Sequence, residues 1–358
     1  MRRRNFLRLC GALWLGPFWS LRAATKKLGI PLGLDSYSLR AWRWNVFQLL
    51  DFCSELQLDG LMVAIPRDFE SLEPGYLAKV RQRAQELGIQ LDAAIGCISP
   101  TSNSWNPKLG KPEDVISQGL LVAQAIGARS LRAFVGAPGM RPVGPHVEST
   151  LRVLRNCRAR IQDAGLKIAI ENHGEFLAGE LRQLIEAAGK DIAACCLDTG
   201  NPLHVMEDPL FTLEVLAPYT VTSHVRDSVV FSHPRGAAFQ WVALGDGSIG
   251  FERLAQRFAQ LCPGVPMHLE IITGRPPTVV PLLEEEYWKL FPEKPARELT
   301  GFLRLVRDGH PYLGPMVVED ISGPIPEEYR AALKLQQRLD VERSIRYARE
   351  HLGLGLKA

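Results

Sequence analysis

The feature of this 358-residue chain that most limits its fold is a regular alternation of short apolar runs with amphipathic segments. In the amphipathic segments the apolar residues recur every three to four positions, which is typical of helices packed against a sheet. The short apolar runs between them indicate strands. Eight such runs lie at residues 29–34, 60–65, 89–95, 130–135, 167–170, 192–197, 220–225 and 267–272.

Eight strand-like runs that alternate with helices over about 250 residues predict a (β/α)8 barrel. We place this barrel at residues 28–280. A doubly wound open sheet is the competing arrangement. However, no Gly-x-Gly-x-x-Gly pattern follows the first strand, so the usual dinucleotide-binding signature is absent. The helical segments lie at residues 46–56, 77–87, 115–126, 147–164 and 251–261.

The last part of the chain, residues 281–358, is predicted to be a helical C-terminal extension of the barrel. Its longest helix is expected at about residues 326–351, where alternating Glu and Arg residues are typical of a solvated face. We expect this extension to pack on the outside of the barrel, over one mouth, or against another subunit. The sequence therefore leaves open whether the protein is a homo-oligomer.

The N-terminus has the pattern of an export signal. Basic residues precede the apolar run 9–21, and small residues stand at Ala23 and Ala24. Residues 3–8 read Arg-Arg-Asn-Phe-Leu-Arg, which resembles the twin-arginine motif of folded proteins exported to the periplasm. The apolar run is too short to span a bilayer, so we expect no stable membrane anchor once residues 1–24 are removed. A signal anchor is the alternative.

Charge limits the partners of the mature chain. The formal net charge is +3, but residues 1–24 contain five arginines and no acidic residue, so their removal leaves −2. Such a balance offers no basic track for the phosphates of a nucleic acid. No Cys-x-x-Cys pair is present, and this argues against zinc-ribbon or thiol redox chemistry.

Four consecutive predicted strands each end in an ionisable residue: Glu171, Asp198, His224 and Glu270. In a (β/α)8 barrel the functional groups lie at this carboxyl end of the strands. Three carboxylates at one barrel mouth would repel each other unless a cation lay between them. One imidazole with three carboxylates suits Mn²⁺, Co²⁺, Mg²⁺ or Zn²⁺. The alternative is that each acid caps a helix or pairs with a nearby arginine.

The segments at these strand ends resemble those of the xylose isomerase-like barrels. This family includes sugar phosphate isomerases and epimerases, ketose 3-epimerases and endonuclease IV. The resemblance covers about residues 28–275. The similar segments are Ile-Glu-Asn-His at 170–173, Leu-Asp-Thr-Gly-Asn at 197–201, His-Val-Arg-Asp-Ser at 224–228, Gln-Trp-Val-Ala-Leu-Gly-Asp-Gly at 240–247 and His-Leu-Glu at 268–270.

The resemblance implies that Glu171, Asp198, His224 and Glu270 bind one divalent metal ion. It also implies that Glu171 and Glu270 act as base and acid on opposite faces of a small carbohydrate substrate. The expected activity is that of a metal-dependent sugar isomerase or epimerase. Such an enzyme removes a proton next to a carbonyl group and passes through an enediolate.

Three further residues are expected to contact the substrate: His173, Asn201 and Arg226. Asp227 is expected to orient His224 or Arg226. The ketose epimerases have a histidine where this chain has Asn201, so the substrate need not be a free ketose.

Other functions remain open at this stage. Endonuclease IV-like members carry extra metal ligands before the 240–247 segment, and residues 239–242 here contain none, which argues against DNA repair. Removal of the same proton could instead expel a leaving group, as in a lyase or hydrolase that cleaves keto-glycosides, and export favours this variant. A non-catalytic carbohydrate-binding barrel, with Trp241 stacked on a sugar, is the third hypothesis.

Overall fold

The computed structural model describes residues 26–319 and 323–357, and its centre is a closed barrel of eight parallel strands. The strands of the chain are β1 (Leu32–Asp35), β2 (Gly60–Ala64), β3 (Gln90–Cys97), β4 (Leu131–Phe134), β5 (Ile168–Glu171), β6 (Ala193–Asp198), β7 (Thr220–Val225), β8 (Asp227–His233), β9 (Gly236–Val242), β10 (Met267–Leu269) and β11 (Thr278–Val280). Around the barrel the order is β1-β10-β7-β6-β5-β4-β3-β2. The predicted (β/α)8 fold is confirmed, and the open sheet is excluded.

Helices cover the outside of the barrel and also pack against β8, which lies outside the barrel. They are α1 (Val46–Glu55), α2 (Pro74–Glu86), α3 (Pro112–Ile126), α4 (Gly144–Ala164), α5 (Ala178–Ala188), α6 (Pro209–Leu216), α7 (Phe251–Leu261), α8 (Glu285–Trp288), α9 (Ala296–Asp308) and α10 (Glu327–Glu350). Local sequence sets their ends. The side chain of Asn45 accepts hydrogen bonds from the first turn of α1, and Gln48 bonds back to Asn45 in a capping box. Helix α3 ends at Gly127, whose φ of 73° suits glycine best.

The barrel interior below the carboxyl end is filled by a buried polar pair. Nε2 of His268 lies 2.8 Å from a carboxylate oxygen of Asp92, and both side chains are fully buried. A β-carbon at Gly33 would lie 2.1 Å from the His268 ring, so the two strand glycines Gly33 and Gly60 make room for the imidazole. This packing leaves the carboxyl end of the barrel as the open end.

The C-terminal extension supplies the helix that stands between α7 and α1. In α10, Arg338 lies over the ring of Phe52 in α1, and Tyr347 donates a hydrogen bond to Glu252 in α7. After α10 the chain runs under the barrel, where the amide of Gly355 donates to the carbonyl of Ile30 (2.9 Å). The extension therefore completes the ring of helices, at the position where the eighth barrel helix belongs.

A second, antiparallel sheet lies over the carboxyl end of the barrel. It has the order β11-β9-β8, with Asp227 opposite Val242 and Thr278 opposite Phe239. The chain enters this sheet directly after β7 and returns to it after β10. The sheet is thereby held next to the strand ends that carry the predicted site.

The predicted export signal lies outside the described residues. Within residues 26–319 and 323–357, no helix is long and apolar enough to cross a membrane.

Candidate metal centre and substrate cavity

Four strand ends converge at the carboxyl end of the barrel. Glu171 and Asp198 are the last residues of β5 and β6, His224 lies in β7, and Glu270 directly follows β10. One donor atom from each of these side chains lies within 4.8 Å of the others, and all four side chains are buried. The structure thus brings together the four residues that were predicted as metal ligands.

The imidazole of His224 is oriented by Asp35, which the sequence analysis did not single out. Its Nε2 lies 3.3 Å from Oδ2 of Asp35, at the end of β1, and 3.0 Å from the sulfur of Met62. Its Nδ1 lies 3.3 Å from Glu171 and 3.4 Å from Glu270, and has no hydrogen-bond partner. A proton held on Nε2 by Asp35 leaves the lone pair of Nδ1 free for a metal ion.

The prediction that Asp227 orients His224 or Arg226 is wrong. Its carboxylate accepts hydrogen bonds from the amides of Ser228 (2.8 Å), Gly245 (2.9 Å) and Gly247 (3.2 Å). A β-carbon at Gly247 would lie 1.8 Å from this carboxylate. Asp227 therefore fixes the turn at residues 245–247, because only a residue without a side chain allows so close an approach.

Arg226 lies against the carboxylates of the candidate ligands. Its Nη2 atom is 2.8 Å from Asp198 and 3.7 Å from Glu171, and it also pairs with Glu270. The guanidinium stacks over the ring of Trp241, with 4.4 Å between its carbon and the ring centroid. This contact places Trp241 beside the site and keeps the positive charge of Arg226 at the edge of the carboxylate cluster.

Both oxygens of Glu171 are held by other side chains. Arg132 donates to Oε2, and the amide of Asn201 donates to Oε1 over 3.1 Å. Burial alone would raise the pKa of Glu171, but Arg132 and His224 hold that pKa well below its ordinary value. Glu171 is therefore a fixed carboxylate at neutral pH.

Excess negative charge raises the pKa values of two other ligands, in contrast to that of Glu171. Burial and the carboxylates of Glu171 and Glu270 raise the pKa of Asp198 to about 7, although Arg226 opposes the shift. Burial disfavours the imidazolium form of His224, yet the neighbouring acids raise its pKa well above the ordinary value. A cation placed among these groups relieves the same repulsion.

The donor atoms of the cluster fit a divalent cation. Nδ1 of His224 is buried without a hydrogen-bond partner, and Oδ2 of Asp198 and Oε2 of Glu270 both form ion pairs with Nη2 of Arg226. One arginine shared by these carboxylates, beside an unsatisfied imidazole nitrogen, fits an additional cationic group at the cluster. Three carboxylates and one imidazole suit a hard or borderline ion. A bound ion would share Asp198 and Glu270 with Arg226.

A cavity of about 620 Å³ opens above this cluster, and its lining includes all three predicted substrate contacts. Arg226 and Asn201 lie beside the ligands as described. Nδ1 of His173 donates a hydrogen bond to the carbonyl of Gly136 (2.7 Å), and the ring stacks on Phe134 with 4.4 Å between the ring centroids. Burial lowers the pKa of His173, so the ring is neutral at neutral pH.

Sequence reasoning missed several residues of the cavity wall. They are Asp35, Tyr37, Arg132, His204, Gln240 and Arg275. Burial and the charge of Arg226 lower the pKa of His204 to about 3, so this ring is also neutral. Asp35 was detectable, because it follows the first strand-like run as the ligands follow theirs. The others come from strand four, from the loops after β1 and β6, or from the second sheet and the segment after β10, where no local pattern marks them.

Glu175, next to the site, gives a testable pH dependence. It is fully buried, with one oxygen accepting from the amide of Gly136 (2.9 Å) and the other without a partner. Burial raises its pKa from the ordinary 4.5 to about 7. Between these values the unfolded chain ionises Glu175 and the folded chain does not, so rising pH lowers the stability of the wild type.

Glu175→Gln removes this loss of stability, because glutamine does not ionise. Relative to the wild type, we expect the free energy of unfolding of the variant to rise by about 3 kcal/mol between pH 4 and pH 8. Urea unfolding at both pH values measures the gain, with Glu148→Gln on the exposed face of α4 as the control. A stability difference that is the same at both pH values would contradict the expectation.

Comparison with known proteins assigns the family. The model of the family described as xylose isomerase-like TIM barrel matches residues 50–306, and the chain belongs to this family. It is 24% identical over 246 residues to 3-oxo-isoapionate decarboxylase from Pectobacterium atrosepticum, a match that covers 67% of this chain and 76% of that protein. It is 23% identical over 238 residues to the uncharacterized protein YihM from Escherichia coli, covering 63% and 67% of the two chains.

Solved structures share the fold. A D-psicose 3-epimerase crystallised in the presence of D-fructose superposes with a TM-score of 0.58 at 15% identity, covering 90% of this chain and all of that one. The IolI protein with a bound zinc atom gives a TM-score of 0.52 at 15% identity, covering 77% of this chain and 96% of that one. At such low identity these likenesses establish the architecture alone.

Proposed function

We propose that this protein is a metal-dependent enzyme that acts on a small carbohydrate next to a carbonyl group, in the first instance as a sugar isomerase or epimerase. One observation carries the proposal: the four candidate ligand atoms lie within 4.8 Å of one another, below a cavity of about 620 Å³. The sugar epimerases among the structural neighbours support it.

Glu171, Asp198, His224 and Glu270 would hold the ion, and the set suits Mn²⁺, Co²⁺, Mg²⁺ or Zn²⁺. When bound, such an ion supplies Lewis-acid polarisation of a carbonyl oxygen. The zinc in the IolI structure is a property of that protein and does not fix the metal here.

Proton transfer, charge stabilisation and substrate binding are assigned to individual side chains. Of the three ligand carboxylates, Glu270 is the one that lines the cavity, so it is the group best placed to take the proton next to the carbonyl. In an epimerisation the proton transfer on the opposite face is assigned to Glu171, which is ionised and must first take up a proton from water before it can return one. Arg226 stabilises the negative charge of the enediolate. Asn201 and the free Nε2 of His173 hydrogen-bond to substrate hydroxyl groups.

The relative from Pectobacterium favours a second reaction of the same kind. Its name describes the decarboxylation of a 3-oxo sugar acid. Loss of CO₂ beside a 3-oxo group leaves an enolate, so the same cationic surroundings would assist it. Cleavage of keto-glycosides and carbohydrate binding without catalysis are the other outcomes that an experiment must separate.

Product analysis in D₂O tests these alternatives. The metal-loaded protein is incubated with free ketoses, 3-keto-glycosides and 3-oxo sugar acids, and the products are followed by NMR. A C-epimer or isomer with deuterium next to the carbonyl supports the first reaction, released CO₂ the second, and a released aglycone the lyase or hydrolase. Neither product nor deuterium exchange with any of the three classes would contradict an enzymatic role.

Asp35 is expected to tune the metal site through His224. Asp35→Asn keeps an acceptor for the amide of Tyr37 but weakens the pull on the Nε2 proton of His224. We expect the affinity for the metal ion to fall about 10- to 100-fold. Competition with a chelating dye measures this affinity, and the exposed Asp163→Asn in α4 serves as the control. Wild-type affinity in Asp35→Asn would show that this contact is unimportant.

We also propose that the protein is exported to the periplasm by the twin-arginine route, with residues 1–24 removed and the barrel at about 28–280. The arginines at positions 3 and 4 support this proposal. In cell fractionation, replacement of both by lysine is expected to retain the precursor in the cytoplasm. Unchanged export of that variant would contradict the assignment.

A further inference from the structure

The wall of the cavity contains one arginine that no acidic residue among residues 26–319 and 323–357 neutralises. Of the four cavity arginines, Arg67 pairs with Asp68 (2.7 Å), Arg132 with Glu171, and Arg226 with Asp198 and Glu270. Arg275 forms no ion pair with any residue in the described parts of the chain. Its Nε is buried without a hydrogen-bond partner, and its Nη2 reaches only the hydroxyl of Tyr37 at 3.5 Å.

The surrounding structure holds the backbone of Arg275 in place. Its carbonyl oxygen accepts a hydrogen bond from the side chain of Gln240 in β9 (2.8 Å), and two prolines follow it in the sequence. Tyr37 is fixed in turn, because its amide donates to Asp35 (2.8 Å). An arginine anchored in this way beside a cavity, with no counter-ion in the described part of the chain, favours an anionic ligand.

The charge of the cavity supports the same conclusion. Its four arginines face five carboxylates: Asp35, Asp68, Glu171, Asp198 and Glu270. Without a metal ion these side chains carry more negative than positive charge. A divalent ion at the ligand cluster would make the net charge positive. The unpaired positive group is then Arg275, which identifies the place where a substrate anion would be bound.

We propose that Arg275 and the hydroxyl of Tyr37 bind a carboxylate of the substrate, so that the substrate class is sugar acids rather than neutral sugars. The reaction of such a substrate rests on the proposed function, whereas the binding of its carboxylate does not. One guanidinium edge matches the two coplanar oxygens of a carboxylate. Phosphate sites instead combine several cations or backbone amides, whereas the two other arginines beside Tyr37, Arg40 and Arg67, already pair with Glu319 and Asp68.

Calorimetric titration with unreactive ligands tests this proposal on the full-length, metal-loaded protein. The probes are xylonate and gluconate, the matching neutral polyols xylitol and glucitol, and glucitol 6-phosphate. We expect the wild type to bind the aldonates at least tenfold more tightly than the polyols. In Arg275→Gln the affinity for aldonates should fall about 10- to 100-fold, with polyol binding unchanged, and Arg275→Lys should recover part of the loss.

The control variant is Arg235→Gln, because Arg235 is an exposed arginine near the same sheet that pairs with Glu284. It should bind aldonates as the wild type does. Equal aldonate affinity in Arg275→Gln and the wild type would overturn the proposal, and so would a larger Arg275-dependent loss for glucitol 6-phosphate than for the aldonates. A second titration after chelation of metal separates the two hypotheses. If the metal-loaded protein gives no product in the D₂O experiment but aldonate binding still depends on Arg275 without metal, the anion site stands while the proposed reaction fails.

Discussion

Glu270→Gln is expected to slow proton exchange next to the substrate carbonyl by about 10²- to 10⁴-fold, the usual contribution of a general base. Glu270 lies directly after β10 and is the one ligand carboxylate that lines the cavity. Glutamine has nearly the same shape and retains a ligand oxygen, but it cannot accept the proton. The rate of deuterium incorporation from D₂O into the accepted substrate measures the effect.

Metal content must be measured on the same Glu270→Gln sample, so that loss of the base is separated from loss of the ion. Glu284→Gln, on an exposed residue paired with Arg235, provides the control. Wild-type exchange rates in Glu270→Gln, with the ion still bound, would assign the proton transfer to another residue.

His224→Ala is expected to weaken metal binding by more than about 100-fold, since even outer contacts of metal ligands account for 10- to 100-fold. The substitution removes the one nitrogen donor of the cluster and leaves the three acids Glu171, Asp198 and Glu270 to repel each other. Elemental analysis after dialysis against buffer with a weak chelator measures the loss. His233→Ala, in β8 and away from the cluster, should keep the ion. Full occupancy in His224→Ala would remove His224 from the ligand set.

The candidate ligands could be predicted from the sequence because of a simple geometric fact. Parallel strands of a closed barrel all end at the same rim, so residues that follow successive apolar runs meet there. Glu171 pairs in register with Cys196, and His224 with Asp198, which brings neighbouring strand ends to one level. No knowledge of long-range contacts was needed beyond the barrel itself.

The surroundings of the ligands could not be predicted in the same way. Arg132 stands inside a short apolar strand, and only the alignment of β4 beside β5 shows that its side chain reaches Glu171. Arg275 and Gln240 meet because β9 pairs with β11 across more than 30 residues of sequence. Asp227 has the residue type of a ligand partner, and only the folded turn reveals that it binds backbone amides instead.

The C-terminal extension illustrates the same limit. The helical period of α10 was visible in the sequence, whereas its place in the ring between α7 and α1 depends on tertiary contacts such as those of Arg338 and Tyr347. Between β10 and α10 the chain forms the outer strand β11 and the helices α8 and α9. An addition that looks separate in the sequence thus completes the ring of helices around the barrel.

The most direct test of the central claim is an anomalous-diffraction measurement on crystals of the protein loaded with Mn²⁺. The account predicts one strong anomalous peak per chain, within coordination distance of Glu171, Asp198, His224 and Glu270. Crystals loaded with Co²⁺ or Zn²⁺ should give a peak at the same position if those ions compete for the site. The absence of a peak at these four side chains, with every ion tried, would contradict the metal-dependent function proposed for this protein.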